Sequence, residues 1–472
     1  MKNKRFFLII LAAFIIIQPL IDVLTMLSKN YSEGSITVGI IIRTFFMLVI
    51  IGWITYAALH SKEAKKYFFY LAGLAVLLIV NLVVNYLGRD PETYNLIEEL
   101  SYFFKIVYFP VLFFGLVLVL KEMKLKGTDS KKQLVNYFLL SSLIISAVFI
   151  IAQLTGTSIK NYSWSKEGWS GWFNAGNEIG ATMAILLPIT ALYAAHLTNS
   201  VKDIFKWIPF ILLSISMLAL GTKVGYGGII IVLLSVFVGS IIMLIWKNAT
   251  ERKEQLKANL LVSFILLILL VVVTPFTPVF GNMFTHFDIL GISIDKPDIT
   301  ASPNEEKTEA EEKASKENIE ITGAQFENLI FSSREVYVER SKKEFMSASN
   351  TRQLFGLGND RNHVITADQK LPKLIEMDFH DWFFSFGLLG FIYLISPLLW
   401  YSGRYIYRFF KEFKSKFDYF HILTGISFLL GIGIAYTAGH VFTAPSVSIY
   451  MAFLLAIIVI YDDNYGKIAK KI

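Results

Sequence analysis

The chain has 472 residues, 54% of them hydrophobic and only 17% charged, with a mean hydropathy of +0.55. A soluble globular chain carries about a quarter charged residues, so this composition excludes an ordinary soluble domain and points to lipid as the solvent. With no cysteine, a disulfide framework, a thiol nucleophile and a Cys-ligated metal are excluded, and the formal charge of +7 reports topology rather than nucleic-acid binding.

Apolar residues fall in runs of roughly twenty, the length that spans a bilayer core as a helix. They predict an all-α polytopic membrane protein of about twelve transmembrane helices, at 6–28, 36–58, 67–87, 101–120, 134–154, 174–196, 205–221, 225–246, 258–280, 381–401, 419–439 and 444–461. The parse of 205–246 depends on how the chain turns around Gly221–Gly228. The first run, from Phe6 to about Leu27, is long and no small-residue cleavage site follows, so it reads as a span rather than a signal peptide. Lys and Arg number 25 in the termini and alternate gaps, against five in the short gaps of the other set. Positive charge stays cytoplasmic, which predicts both termini inside and an even number of helices.

Three parts follow: helices 1 to 9 in 1–280, a large extracytoplasmic loop in 281–380, and helices 10 to 12 in 381–472. The loop holds 12 Lys/Arg against 18 Asp/Glu, a net −6. Its part 296–320 has almost no large apolar residues and reads as a solvated, disordered spacer. The part 325–379 has Phe326, Leu329, Ile330, Val336, Tyr337 and Phe345 to bury, and reads as a partly helical catalytic part.

Four places on the outer face carry candidate chemistry. GWSGWFNAGNEIGATMAILLPI (168–189) opens a helix with Asn174, Asn177 and Glu178. Polar side chains this close to the membrane core usually face a bundle interior or a water-filled cavity, and these can hydrogen-bond sugar hydroxyls. Trp164, Trp169 and Trp172 could stack on sugar rings, or serve as interfacial anchors. LGTKVGYGG (220–228) is a short turn whose one charge, Lys223, can neutralise an anion or simply snorkel to the interface.

FSSREVYVERSKKEF (331–345) fits a capping box, with Ser332 as N-cap, Glu335 at N3, and Phe331 and Val336 as a hydrophobic staple. Free N–H groups, a helix dipole and Arg334 would then meet, a combination that suits phosphate or pyrophosphate; the alternative is a surface helix with a solvated arginine. Finally, in EMDFHDWFFSFGLLGFIYLI (376–395), His380 stands at a helix N-terminus at the membrane boundary, where the dipole favours neutral imidazole. Asp381 is adjacent but does not face it, Asp378 could be a cap, and an interfacial anchor is the competing reading. His286, His363 and His440 have no spacing that suggests a metal site and read as structural.

In order, sidedness and spacing, these elements resemble the O-antigen ligase and polymerase family of membrane glycosyltransferases. The resemblance covers about 170–400. It rests on Asn174–Pro188, Thr222-Lys223 in place of a Ser-Arg turn, Ser333-Arg334 through Phe345, Gly356-Leu357-Gly358, and His380 through Gly387-Leu388-Leu389-Gly390. Lys223 departs from the arginine common there, and Asp381 from an asparagine. The resemblance implies transfer of an oligosaccharide from a polyprenyl-pyrophosphate donor to a glycan or lipid acceptor on the outer face of the cytoplasmic membrane. It implies no cofactor or metal and an inverting displacement. Arg334 and Lys223 would stabilise the leaving pyrophosphate, His380 would act as general base, and Asn174, Asn177, Glu178 and Asp381 would contact substrate. Richness in Lys, Ile, Phe and Asn suits a low-GC genome and favours a polymerase over a ligase.

Two other classes compete. A polysaccharide or lipid transporter would place ionisable residues mid-helix, but few charges lie within the predicted spans, chiefly Asp22, Arg43, Lys105 and Glu178. A sensor or scaffold would use the loop to bind a partner.

Overall fold

The computed structural model describes residues 2–31, 37–88, 94–125, 130–162, 166–246, 252–289, 334–359 and 375–461. The spacer 296–320 and Ser332, Ser333, Trp164 and His363 lie outside them. The described residues form α-helices α1 (Lys2–Ile16), α2 (Gln18–Tyr31), α3 (Val38–His60), α4 (Lys62–Gly88), α5 (Leu96–Leu125), α6 (Ser130–Leu154), α7 (Gly176–Leu197), α8 (Ile208–Leu220), α9 (Lys223–Trp246), α10 (Lys253–Val273) and α11 (Pro278–Ile289). After the long loop come α12 (Arg334–Ser347), α13 (Asn350–Phe355), α14 (Asp378–Lys411), α15 (Phe413–Lys416), α16 (Tyr419–Thr437) and α17 (Pro445–Tyr461). Among these residues the β structure is limited to an isolated bridge between Lys160 and Trp169.

Among the described residues ten helices are long and apolar enough to cross a membrane, α8 counting with the 3-10 turn Val201–Trp207 before it. The first predicted span is instead a bent pair, α1 and α2, meeting at 56°. The cause is local: Pro19 lacks an N–H, and its ring clashes with the carbonyl four residues earlier. The last predicted span, α17, is a shorter apolar helix. Two boundaries differ from the sequence expectation. The span set at 258–280 ends at Val273, where Pro275 and Pro278 convert the chain to a 3-10 turn and a new helix. The span set at 381–401 continues to Lys411, because aromatic and basic side chains carry the helix on past its apolar stretch.

The core of the bundle is α5, α7 and α17, with α17 packed along the other two. The spanning window of α7 is 89% buried, whereas that of α4 is 22% buried and turns Val76, Ile79, Val83 and Leu87 outward. Within the core, Arg43 reaches Asp22 at 2.5 Å and donates from Nε to Gln18 at 3.1 Å. Two of the mid-helix charges thus satisfy each other, which lipid demands. A smaller second core of Phe345, Leu357, Ile375, Met377 and Phe384 holds the described part of the long loop against α14.

Candidate active site

The site is assembled at one end of the bundle, where turns are fixed before any charge is placed. The segment ahead of α7 folds back on itself, with Ile159 N–H donating to Gly171 at 2.8 Å and Asn161 N–H to Gly168 at 2.8 Å. It docks on the end of α8 through Trp169 N–H to the Ala219 carbonyl, 2.8 Å. Gly221 then takes the left-handed conformation, φ 77°, as the C-cap of α8. A Cβ there would collide with the Glu167 carbonyl, so the chain requires glycine. Asn282 of α11 clamps the same turn, donating to Gly221 O at 2.8 Å and accepting from Glu167 N–H at 2.8 Å. Thr222 Oγ1 accepts from Gly225 N–H at 3.1 Å, capping α9 and setting Lys223 as its first residue.

The Gly-Leu-Gly and Gly-Leu-Leu-Gly runs are two halves of one contact. α14 breaks at Gly387, φ 67°, which leaves the Phe384 and Ser385 carbonyls outside the helical ladder. Leu357 N–H donates to Phe384 O at 2.8 Å and Gly358 N–H to Ser385 O at 3.0 Å. A Cβ at Gly387 would stand 2.5 Å from the Gly356 nitrogen. Buried polar residues of α4 and α5 complete the joint: Asn81 donates to Ser385 O at 2.9 Å, and the Glu99 carboxylate accepts from Asn359 N–H at 2.9 and 3.0 Å. The joint fixes where α14 begins, and hence where Glu376 and Asp378 sit.

Between these turns lies a cavity of about 800 Å³. The N-termini of α7 (at Gly176) and α9 (at Lys223) open onto it, and so does Arg334 of α12. Lys166, Lys223 and Arg334 supply positive charge, and Glu178 and Glu376 negative charge. Arg334 donates from Nε and Nη2 to one oxygen of Glu376, at 3.2 and 2.7 Å. Among the described residues Glu376 is the non-glycine residue with positive φ, 55°, a strained conformation of the kind that concentrates at functional sites. The Glu178 carboxylate accepts from Ser446 Oγ at 2.7 Å. Burial pushes the Tyr162 phenol at the cavity wall above its ordinary pKa, offset in part by the Arg334 charge.

His440 also lines the cavity, with its side chain 23% exposed. Its Nδ1 lies 2.8 Å from Thr443 Oγ1 and 3.7 Å from Asp378 Oδ1. Asp378 is fully buried and caps the 441–443 turn rather than its own helix, accepting from Val441 and Phe442 N–H at 2.7 Å each. Burial opposes protonation of His440, but the nearby Asp378 and the charges of Asp381 and Glu178 outweigh it. They hold the imidazole above its usual pKa.

Of the residues singled out from sequence, Lys223, Arg334, Asn177 and Glu178 come together around this cavity. Asn174 is an exposed bend residue just before α7 and does not line it. Asp381 is 3% exposed, accepts a hydrogen bond from Tyr102 and does not line the cavity. His380 is half-buried outside the lining, 5.5 Å from the Tyr436 ring. Its Nδ1 has no hydrogen-bond partner among the described residues. His440, Glu376 and Lys166 were not singled out as site residues. No local motif marks them, since His440 meets Asp378 across 62 positions of chain.

A family described as O-antigen ligase like membrane protein matches residues 4–464, nearly the whole chain. The chain belongs to this family. No individual curated protein matches it. Membership in the O-antigen ligase-like family makes it a multi-span membrane protein of cell-surface glycan assembly. The match extends on both sides of the 170–400 stretch that carries the resemblance in the sequence.

Proposed function

We propose that the chain is a metal-independent, inverting membrane glycosyltransferase that polymerises polyprenyl-pyrophosphate-linked oligosaccharide units on the outer face of the cytoplasmic membrane. The observation that carries this is the convergence of the N-termini of α7 and α9 with Lys166, Lys223 and Arg334 on one cavity. Unsatisfied N–H groups and guanidinium or ammonium charges stabilise a pyrophosphate as negative charge develops on it. In this reading Arg334 and Lys223 grip the leaving group, with Glu376 as the counter-ion that holds Arg334 in place before donor binding. Asn177 and Glu178 stand beside the phosphate end, where sugar hydroxyls need donors and acceptors. His380 carries over from the family resemblance as the general base for the acceptor hydroxyl, and His380→Ala is expected to abolish transfer while donor binding survives.

Pyrophosphate leaves readily, so expulsion needs no general acid. The reaction needs fixed cations and a base for the acceptor hydroxyl. The paired positions of the polar residues at the cavity, rather than mid-helix along a path, favour this over transport. The test is a proteoliposome assay with a synthetic polyprenyl-pyrophosphate-linked oligosaccharide. A ladder of elongated lipid-linked products supports polymerisation, and a single addition to a separate acceptor would make the protein a ligase. Movement of intact donor across the bilayer without new glycosidic bonds would replace the enzyme reading with a flippase.

A further inference from the structure

The geometry points to His440, held by Thr443 and Asp378, as the base that takes the acceptor hydroxyl proton. This rests on the proposed transfer reaction and departs from it at one point, the identity of the base. Three observations favour His440 over His380. First, His440 lines the cavity that holds the cations, and His380 does not. Second, a base must be oriented by its other nitrogen. His440 Nδ1 is engaged by Thr443 Oγ1 at 2.8 Å, which leaves Nε2 for the cavity, whereas His380 Nδ1 has no partner among the described residues. Third, Asp378 is a fully buried carboxylate 3.7 Å from His440, fixed by the Val441 and Phe442 N–H groups and by Thr443. That is the arrangement in which a third group orients the base and stabilises its protonated form.

In the step itself, the acceptor oxygen bonds to the anomeric carbon as the bond from that carbon to the pyrophosphate oxygen breaks. The electron pair leaves with the polyprenyl pyrophosphate, and the hydroxyl proton passes to Nε2 of His440. The imidazolium is stabilised by Asp378 and then releases its proton to water in the cavity. The groups facing His440 are Asp378 and Asp381 from α14, Glu178 from α7, Glu376 ahead of α14, and the cations Lys166, Lys223 and Arg334. The nearest of these are acidic, and they raise the imidazole's pKa. Neutral His440 is the active form, so transfer should fall as pH drops through a midpoint above the ordinary histidine value of about 6.5.

The experiment compares initial transfer rates across pH for wild type, His440→Gln, His440→Ala and His380→Gln in proteoliposomes with the same lipid-linked oligosaccharide. His440→Gln should lose roughly 10²- to 10⁴-fold in kcat with little change in donor KM, and should lack the acid limb. Imidazole should partly restore His440→Ala, an effect that a merely structural histidine would not give. His380→Gln, whatever its loss in rate, should keep the wild-type acid limb. Thr443→Val should lower kcat and Thr443→Ser restore it, which keeps the test independent of whether His440 variants fold. An active His440→Gln, or imidazole rescue of His380→Ala in place of His440→Ala, overturns this inference alone. A wild-type protein that makes no glycosidic bond overturns the transfer reaction, and this inference with it.

Discussion

The two walls of the cavity are built in different ways. The cationic wall is built on helices: Lys223 is the first residue of α9, where its charge adds to a dipole already directed at the cavity, and Arg334 stands on α12. The other wall is a tertiary construction, in which Asp378 of α14 holds the 440–443 turn between α16 and α17 and so sets His440. A local cap, Thr222, sets Lys223 at a helix start, whereas only long-range packing brings an imidazole to a buried carboxylate. The comparison predicts that the cationic wall responds to charge geometry, and the imidazole wall to whatever moves α14.

The largest effect is expected at Arg334. Arg334→Ala should lower transfer by roughly 10²- to 10³-fold, the usual loss when a preorganised donor to developing charge is removed. Arg334→Lys should still lose about tenfold or more, because an ammonium keeps the charge but not the planar fork. A silent Arg334→Lys in the elongation assay would withdraw the anion site from this wall. Gly387→Ala tests the other wall at a distance. Its Cβ would crowd the Gly356 nitrogen, and φ 67° is unfavourable for alanine. A loss of about 1–3 kcal/mol of stability is expected. It should be read as a lower melting temperature in detergent, with impaired transfer because Asp378 and the His440 turn shift with α14. Normal stability in that variant would mean that the glycine joint does not fix α14.

Smaller effects sharpen the contrast. Lys223→Arg should be tolerated, within about twofold of wild type, because the helix end does part of the work and arginine adds a bidentate fork. A strong loss in that variant would assign Lys223 a role that depends on its compact ammonium. Deletion of 296–320 should leave polymer production unchanged at equal protein level, since a stretch with so little apolar content has nothing to bury. Loss of polymer in a complemented deletion strain would show that this spacer takes part in activity.

Much of this protein is fixed by its sequence. Runs of apolar residues about twenty long determine an all-helical membrane bundle, because backbone N–H and C=O groups in lipid must pair within their own segment. The bend at Pro19 and the glycine turn at Gly221 are set by residues within a few positions of each other. So are the positions of Lys223, Asn177 and Glu178 at helix beginnings. Tertiary structure decided the rest. It showed the two glycine runs to be a single joint, turned Asp381 inward to Tyr102, paired Arg334 with Glu376, and joined His440 to Asp378. Each of those contacts links segments tens to hundreds of residues apart, and their geometry is set by how the helices pack rather than by any period or spacing along the chain.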